Sequence, residues 1–336
     1  MRYGLPYKGS KNAIAKWIIS QLPSANTFVD LFCGGGAVTH AALLSGKYEH
    51  FIMNDIDGRL PVLFLDACYG KHSIENHPEW ITRNEFNQRK NDDAYIALVW
   101  SFGNNGKDYI YGKNIEEFKH AYHTLVFESD PKPIREYGYD ISVSDNPDVI
   151  KRYYQYKAEI RKQTISRKYG KYPHDLDSTV RQIEIERLQS LQSLQSLQSL
   201  QSLQSLQSLQ SLQSLQSLQS LHGDYEAVAI PEGSVIYCDI PYKNTNCGKY
   251  TGFDHDRFYK WARKQDNIYI SEYSMPDDFI PYSWKEKTVL SATNGCSKGR
   301  ETIFTNERTF SKLSERQREL SSKKFSTQID MFDLFQ

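Results

Sequence analysis

Apolar residues occur in short runs that alternate with turn residues and helix-forming stretches, a pattern typical of α/β proteins. Apart from Asp30, the run 27–32 is apolar, β-branched or aromatic, and three glycines and a helix-forming stretch follow it. A second apolar run, 51–53, ends close to Asp55, and a third, 234–238, ends beside Asp239. Such runs predict buried strands, so the sequence favours an α/β fold.

The three glycines after the first predicted strand indicate a nucleoside site. Glycine lets the backbone turn sharply and approach a ligand without a Cβ in the way, and a strand, a glycine turn and a helix open α/β nucleotide sites. Asp55 follows about 20 residues later, where an acid can accept both ribose hydroxyls. The run is not G-x-G-x-x-G, and Ala37-Val38 stands where a pyrophosphate would be capped. This favours a nucleoside without phosphates.

A corner of four residues, Asp239-Ile240-Pro241-Tyr242, follows the third predicted strand. Pro241 stiffens the corner and biases Ile240 to an extended shape. Asp239 and the Ile240 carbonyl then form a pair of acceptors beside the flat face of Tyr242, which suits the exocyclic amino group of a base turned out of its helix. An amine that attacks a sulfonium methyl directly needs alignment and charge stabilisation rather than a strong base.

Together these motifs resemble S-adenosylmethionine-dependent DNA N6-adenine methyltransferases, in particular the DNA adenine methylase (D12) family. The resemblance covers nearly the whole chain outside a Leu-Gln-Ser repeat. It implies a Rossmann-like α/β core with a mixed sheet and a mostly helical inserted target-recognition region. It also implies S-adenosylmethionine as cofactor and double-stranded DNA as substrate, with site-specific methyl transfer to adenine N6 after base flipping.

The resemblance assigns roles to individual residues. The residues that match the family's N-terminal aromatic-Gly-x-Lys motif, its F-x-G-x-G motif and its ribose acid are expected to contact the cofactor: Tyr7, Lys11, Asp30, Phe32, Gly34, Gly36 and Asp55. Tyr7 and Lys11 would meet its methionine part. The catalytic D-P-P-Y motif is matched by Asp239, Ile240, Pro241 and Tyr242. The family has proline at the position of Ile240, and this departure keeps cytosine N4 open as an alternative target.

Other classes of protein are weighed by the chemistry that they need. Cytosine C5 methyltransferases begin with a similar glycine-rich run but require a thiolate in a Pro-Cys dipeptide. None of the five cysteines follows a proline, which argues against that class. A catalytically inactive DNA-binding relative, disabled by Ile240 or by the repeat, stays open. Methylation of RNA or protein is disfavoured, because such enzymes usually lack an inserted region of this size.

The motifs divide the chain into five expected segments. They are a cofactor-binding half of the core (1–60), an inserted helical target-recognition region (61–187), a repeat arm (188–221), a catalytic half (222–310) and a tail (311–336). Aromatic residues are dense in the inserted region, where the resemblance places target recognition.

DNA contacts are expected both in the inserted region and beside the catalytic corner. Asn104 and Asn105 can bond an adenine edge or a phosphate, and Lys107, Lys113 and Lys243 are candidate phosphate contacts. The formal net charge is zero, which is unusual for a DNA binder. Basic residues nevertheless outnumber acids by ten to five both in 151–187 and in 285–324, which gives local positive charge.

The Leu-Gln-Ser repeat and the tail give fewer indications of structure and function than the motifs do. In an α-helix the leucines at every third position wind round the axis, so that no face stays apolar, and we expect a poorly packed or fraying helix that projects from the body. The repeat is either a length-tuned spacer or a tolerated expansion. The end of the chain, 328–336, resembles peptides that dock on replication sliding clamps, and the alternative is a tail that folds back onto the body.

Compartment and partners follow from absences in the sequence. It contains no apolar run of 18 residues and no signal peptide, and its odd number of cysteines suits a reducing compartment. We therefore expect a cytoplasmic protein of a bacterial or phage-infected cell, without a membrane contact. No zinc spacing is present, so we expect no metal. A restriction endonuclease and the sliding clamp are candidate partners.

Overall fold

The structure is a computed structural model of the chain. The residues that it describes are 3–76, 78–169, 217–243, 252–291, 295–315, 317–318 and 321, with residues 202, 204, 206, 209 and 212 of the repeat. The clamp-docking segment expected at 328–336 and most of the repeat lie outside the described residues.

The described strands form one seven-stranded sheet with the order β3-β2-β1-β4-β5-β7-β6. The strands are β1 (Thr27–Asp30), β2 (His50–Asp55), β3 (Leu218–His222), β4 (Val235–Asp239), β5 (Ile268–Glu272), β6 (Phe279–Ser291) and β7 (Gly295–Asn306). The first five pair in parallel, and β7 runs antiparallel to both β5 and β6. The expected α/β class with a Rossmann-like mixed sheet is confirmed.

Helices connect the strands and fill the insertion between β2 and β3. In chain order they are α1 (Ala15–Gln21), α2 (Ala37–Leu43), α3 (Arg59–Cys68), α4 (Arg83–Arg89), α5 (Ala94–Val99), α6 (Glu116–Phe127), α7 (Lys132–Glu136), α8 (Val149–Tyr169), α9 (His255–Ala262) and α10 (Glu307–Lys312). The chain divides into two compact units. The sheet unit comprises 1–5, 9–65 and 211–336, and the helical unit comprises 6–8 and 66–210.

The central strands are buried along their whole length. All four residues of β1 and all five of β5 are buried, and so are the first four of β4. A parallel sheet is covered on both faces and therefore selects continuous apolar runs rather than alternating ones. This is why the apolar runs 27–32 and 234–238 predicted β1 and β4.

The end of the Leu-Gln-Ser repeat is a strand, where the sequence predicted a projecting helix. β3 takes its first four residues from the repeat and pairs in parallel with β2, with His222 opposite Asp55. Leu221 packs against the apolar core of the sheet. The ladder along the outer edge of β2 outweighs the helix propensity of leucine and glutamine, which is only a few tenths of a kcal/mol per residue.

Most of the aromatic side chains of the helical unit are core residues. The ring of Trp80 stacks on Tyr111, with centroids 5.4 Å apart, and meets Trp100 edge-on at 5.1 Å. Trp100 and Tyr111 are buried, whereas Phe102 is 66% exposed. The high aromatic content of this region is thus explained mainly by packing.

Replacement of Leu221 by aspartate should destabilise the protein by about 1–3 kcal/mol, because it places a carboxylate against the apolar core of the sheet. The matched control is Gln219→Asp, whose side chain is exposed in the same strand and which should cost less than about 0.5 kcal/mol. Urea unfolding measures both. Equal losses would contradict the packing of β3 on the core.

Candidate active site

Three acidic residues end three neighbouring parallel strands. Asp30 ends β1, Asp55 ends β2 and Asp239 ends β4. β1 lies between the other two strands, and the strand order reverses between β1 and β4. In open α/β sheets, ligands bind at the carboxyl ends of the strands beside such a reversal. The fold therefore brings the glycine turn, Asp55 and the proline corner to one edge of the sheet.

The glycine turn is tight and is tied to β2. Gly34 and Gly36 have φ angles of 48° and 68°, a left-handed conformation that favours glycine. A Cβ on Gly36 would stand 2.6 Å from the ring of Phe64. The Gly36 N–H donates to the Cys33 carbonyl at 2.7 Å, and the Gly34 N–H donates to the Asp55 carboxylate at 2.8 Å. Side chains at these two glycines would disturb both the turn and its packing.

Asp55 keeps acceptor capacity although it is only 4% exposed. Its carboxylate accepts the backbone N–H groups of Gly34, at 2.8 Å, and of Asp57, at 2.9 Å. Burial raises the pKa of Asp55 to about 6, and these hydrogen bonds oppose the rise. A carboxylate has about four lone-pair positions, so each oxygen can accept a further donor.

Asp30 carries a buried oxygen that is not hydrogen-bonded. Its Oδ2 accepts from the Thr39 hydroxyl at 2.7 Å, whereas Oδ1 has no partner among the described residues. Burial raises the pKa of Asp30 to about 7; the Thr39 hydrogen bond opposes the rise, and the nearby Asp239 and Asp55 add to it. A buried acceptor without a donor is costly, and a cationic donor on a ligand would relieve that cost.

Lys11 neutralises part of this acidic edge. Its Nζ lies 2.7 Å from an oxygen of Asp239 and 3.5 Å from one of Glu301. The same atom stands 4.6 Å from the centre of the Tyr242 ring. Burial lowers the pKa of Lys11, but the two carboxylates outweigh burial and raise it. Lys11, for which the sequence suggested a cofactor contact, therefore also holds the proline corner.

Two glutamates support the corner, and the sequence analysis gave neither of them a role. Glu301, on β7, is fully buried and accepts a hydrogen bond from the Tyr242 hydroxyl. Glu272, at the end of β5, accepts the backbone N–H groups of Lys243 at 3.1 Å and Tyr273 at 2.7 Å. Burial raises the pKa of Glu272 to about 7. The sequence carries a signal for Glu272 only, because this acid closes the apolar strand β5.

The apolar residues of the two motifs lie in the core of the sheet unit. Ile240 is 2% exposed and belongs to the apolar core. Phe32 is half-buried, and its ring centroid lies 5.3 Å from that of Tyr225 and 5.7 Å from that of Phe258. The isoleucine that replaces the family's first proline therefore contributes packing in place of a ring constraint.

The two asparagines expected to contact DNA stabilise their own turn in the helical unit. The Asn104 amide donates to the Leu98 carbonyl at 2.8 Å and to the Ser202 hydroxyl at 2.9 Å. The Asn105 side-chain oxygen accepts the Lys107 backbone N–H at 2.8 Å. Their contact with DNA stays a prediction.

The remaining candidate residues differ in exposure. Lys107 and Lys113, in the helical unit, and Lys243, in the sheet unit, have exposed side chains. Tyr7 is half-buried in the helical unit. The exposed lysines are accessible to phosphate, and their role stays a prediction.

Within the described ranges, no group of three His, Cys, Asp or Glu side chains is arranged to hold a metal ion. None of the helices described there is long and apolar enough to cross a membrane.

Residues 7–131 match the family model of the D12 class N6 adenine-specific DNA methyltransferases. The matched segment contains Lys11, the glycine turn and Asp55 and continues into the helical unit, and it ends before the proline corner. No curated protein matches the chain. Over these residues the match bears out the resemblance expected from the motifs, and it supports the expectation of an enzyme, a DNA adenine methyltransferase.

Replacement of Asp30 by asparagine should flatten the pH dependence of stability. The pKa of Asp30 is raised from 3.8 to about 7, so its contribution to stability is complete below pH 3.8 and is lost as the pH rises through about 7. Between pH 4 and pH 8 we expect Asp30→Asn to lose about 1–4 kcal/mol less stability than the wild type. Urea unfolding of the protein without added ligand measures the difference.

The control for this experiment is Asp277→Asn, whose side chain is exposed and which should keep the wild-type slope. If the free energy of unfolding of Asp30→Asn changed with pH as steeply as that of the wild type, the Asp30 carboxyl would not be the group whose ionisation destabilises the protein.

Proposed function

We propose that the protein transfers a methyl group from S-adenosylmethionine to N6 of an adenine that is flipped out of double-stranded DNA, within a specific sequence. The proposal rests on one observation. Asp30, Asp55 and Asp239 lie together at the carboxyl ends of three neighbouring strands, next to the glycine turn. The first two acids belong to the cofactor motif, and the third begins the corner that would hold the amino group.

The residues of the glycine turn and of β1 and β2 fit the proposed cofactor. S-adenosylmethionine, when bound, supplies an electrophilic methyl group on a sulfonium. The free Oδ1 of Asp30 offers an acceptor to the ammonium of its methionine part, and the carboxylate of Asp55 has acceptor capacity for the ribose hydroxyls. The close packing at Gly36 leaves no room there for a Cβ. Tyr7 and Lys11 are proposed to contact the methionine part.

The corner is proposed to orient the adenine. Asp239 and the Ile240 carbonyl would accept the two N–H bonds of the exocyclic amine, so that its lone pair points at the methyl group. The ring of Tyr242 would stack on the flipped base.

Two alternatives make different predictions. A cytosine-N4 enzyme would modify cytosine through the same corner, and an inactive relative would bind DNA without methylating it. Incubation with labelled S-adenosylmethionine and mixed-sequence DNA separates an active enzyme from an inactive one. Single-molecule sequencing of DNA from cells that express the protein then identifies the modified atom and its sequence context. Background incorporation of label in the first experiment, together with no modified base in the second, would refute the proposed function.

Asp239→Ala should lower kcat for methyl transfer by about a hundredfold or more, because the residue aligns the amino group with the methyl group. The dissociation constant of the cofactor should stay within about threefold of the wild-type value. Asp55→Ala should affect mainly cofactor binding. It should raise the dissociation constant of the cofactor about tenfold or more, because a charge-assisted hydrogen bond is lost. Calorimetric titration with the cofactor and a transfer assay with saturating DNA measure the two effects.

Asp277→Ala, at an exposed aspartate of the same unit, is the matched control and should change neither quantity. If Asp239→Ala and Asp55→Ala weakened cofactor binding equally, the division of the acids into a cofactor part and a substrate part would be wrong.

The partner and compartment predictions stay proposals. We propose that the protein acts in the cytoplasm of a bacterial or phage-infected cell, alone or beside a restriction endonuclease, and that 328–336 docks on a sliding clamp. A pull-down with a purified clamp tests the last point. Deletion of 328–336 should abolish capture, and unchanged capture would refute it.

A further inference from the structure

His255 contacts the proline corner from a different part of the chain. It is the first residue of α9 and is half-buried. Its Nε2 lies 2.8 Å from the carbonyl oxygen of Pro241, and its Nδ1 lies 3.1 Å from the carbonyl oxygen of Phe253. Both distances are those of hydrogen bonds. The imidazole therefore links the corner to the residue that precedes α9 by two positions.

The partners of the ring fix its chemical role. A carbonyl oxygen only accepts, so the imidazole must donate to any carbonyl that it bonds. The shorter of the two contacts is the one with Pro241, and the tautomer that carries its proton on Nε2 donates there. An imidazolium would donate to both carbonyls. In these two forms His255 donates a hydrogen bond to the corner, whereas the neutral tautomer with its proton on Nδ1 would donate to Phe253 instead.

The bond acts on a part of the corner that the proline ring does not fix. The ring of Pro241 sets its φ angle and leaves its ψ angle free. A donor on the Pro241 carbonyl restricts that ψ angle, and therefore the plane of the peptide that leads into Tyr242. The direction of this peptide sets the position of the Tyr242 Cβ atom, from which the ring extends.

Two other contacts hold the segment after Pro241. The Tyr242 hydroxyl donates to Glu301, and the Lys243 N–H donates to Glu272. Glu301 therefore fixes the far end of the tyrosine ring, and Glu272 fixes the backbone after it. His255 supplies the constraint before it, so the three contacts together restrict the orientation of Tyr242.

We propose that His255 is a positioning residue for methyl transfer, which donates a hydrogen bond to the Pro241 carbonyl and thereby orients Tyr242 against the target base. The proposal rests on the proposed function, because it assumes that Tyr242 stacks on the base. His255 contacts neither reacting group in this account and acts through the backbone of the corner.

The test compares two substitutions in the full-length protein. His255→Phe keeps a planar ring and removes the donor, and His255→Gln keeps a donor. We expect His255→Phe to lower kcat on DNA about tenfold, the effect of losing one hydrogen bond that aligns the substrate, and to leave the cofactor dissociation constant within twofold. His255→Gln should restore most of kcat. The control is Lys260→Ala, at an exposed position of α9, which should keep wild-type values.

A second measurement does not depend on activity. Hydrogen–deuterium exchange of the peptide that contains 239–243 should be faster in His255→Phe than in the wild type and close to wild type in His255→Gln. Wild-type kcat in His255→Phe, or an equal loss of kcat in both variants, would overturn the proposal. A wild-type protein that transfers no methyl group would refute the proposed function instead, and unchanged exchange in His255→Phe would then still refute the contact with the corner.

Discussion

The site depends on three carboxylates that the parallel register of β1, β2 and β4 holds at one edge of the sheet. Like charges in a low-dielectric setting raise one another's pKa values and destabilise the free protein. The fold offsets this in part with Lys11, which pairs with Asp239, and with the backbone N–H groups that bond Asp55. Asp30 keeps an oxygen without a donor among the described residues. The electrostatic cost that remains favours a ligand with positive charge, as the proposed cofactor has.

The sequence predicted the parts of this arrangement that local patterns determine. β1, β4 and most of β2 are continuous apolar runs because a covered parallel sheet leaves them no solvent face. Asp239 follows its run directly and Asp55 follows after one residue, so their positions at the ends of strands were readable, and so was the need for glycine at Gly34 and Gly36. Asp30 lies inside the predicted run 27–32, so its position at the end of β1 was not readable. Their meeting at the carboxyl end of the sheet follows from the order of the strands, which no local pattern determines.

Contacts between distant segments were not predictable in this way. Tyr242 and Glu301 are 59 residues apart, Lys243 and Glu272 are 29 apart, and Pro241 and His255 are 14 apart. Glutamate and histidine are common surface residues, so nothing in their local sequence marks them as partners of the corner. Ile240 shows the same limit, since its burial in the core explains why an isoleucine is accepted where the family has a proline.

β3 shows how tertiary context overrides local preference. A perfect Leu-Gln-Ser repeat has the composition of a helix, yet its last four residues complete the sheet beside β2. Because the units are identical, the gain or loss of a whole unit upstream leaves the same residues in front of His222. The residues that form the strand are therefore the same whatever the number of units. Upstream of the strand, Leu206, Leu209 and Leu212 of the repeat are buried as well, so the repeat contributes to packing at more than one place.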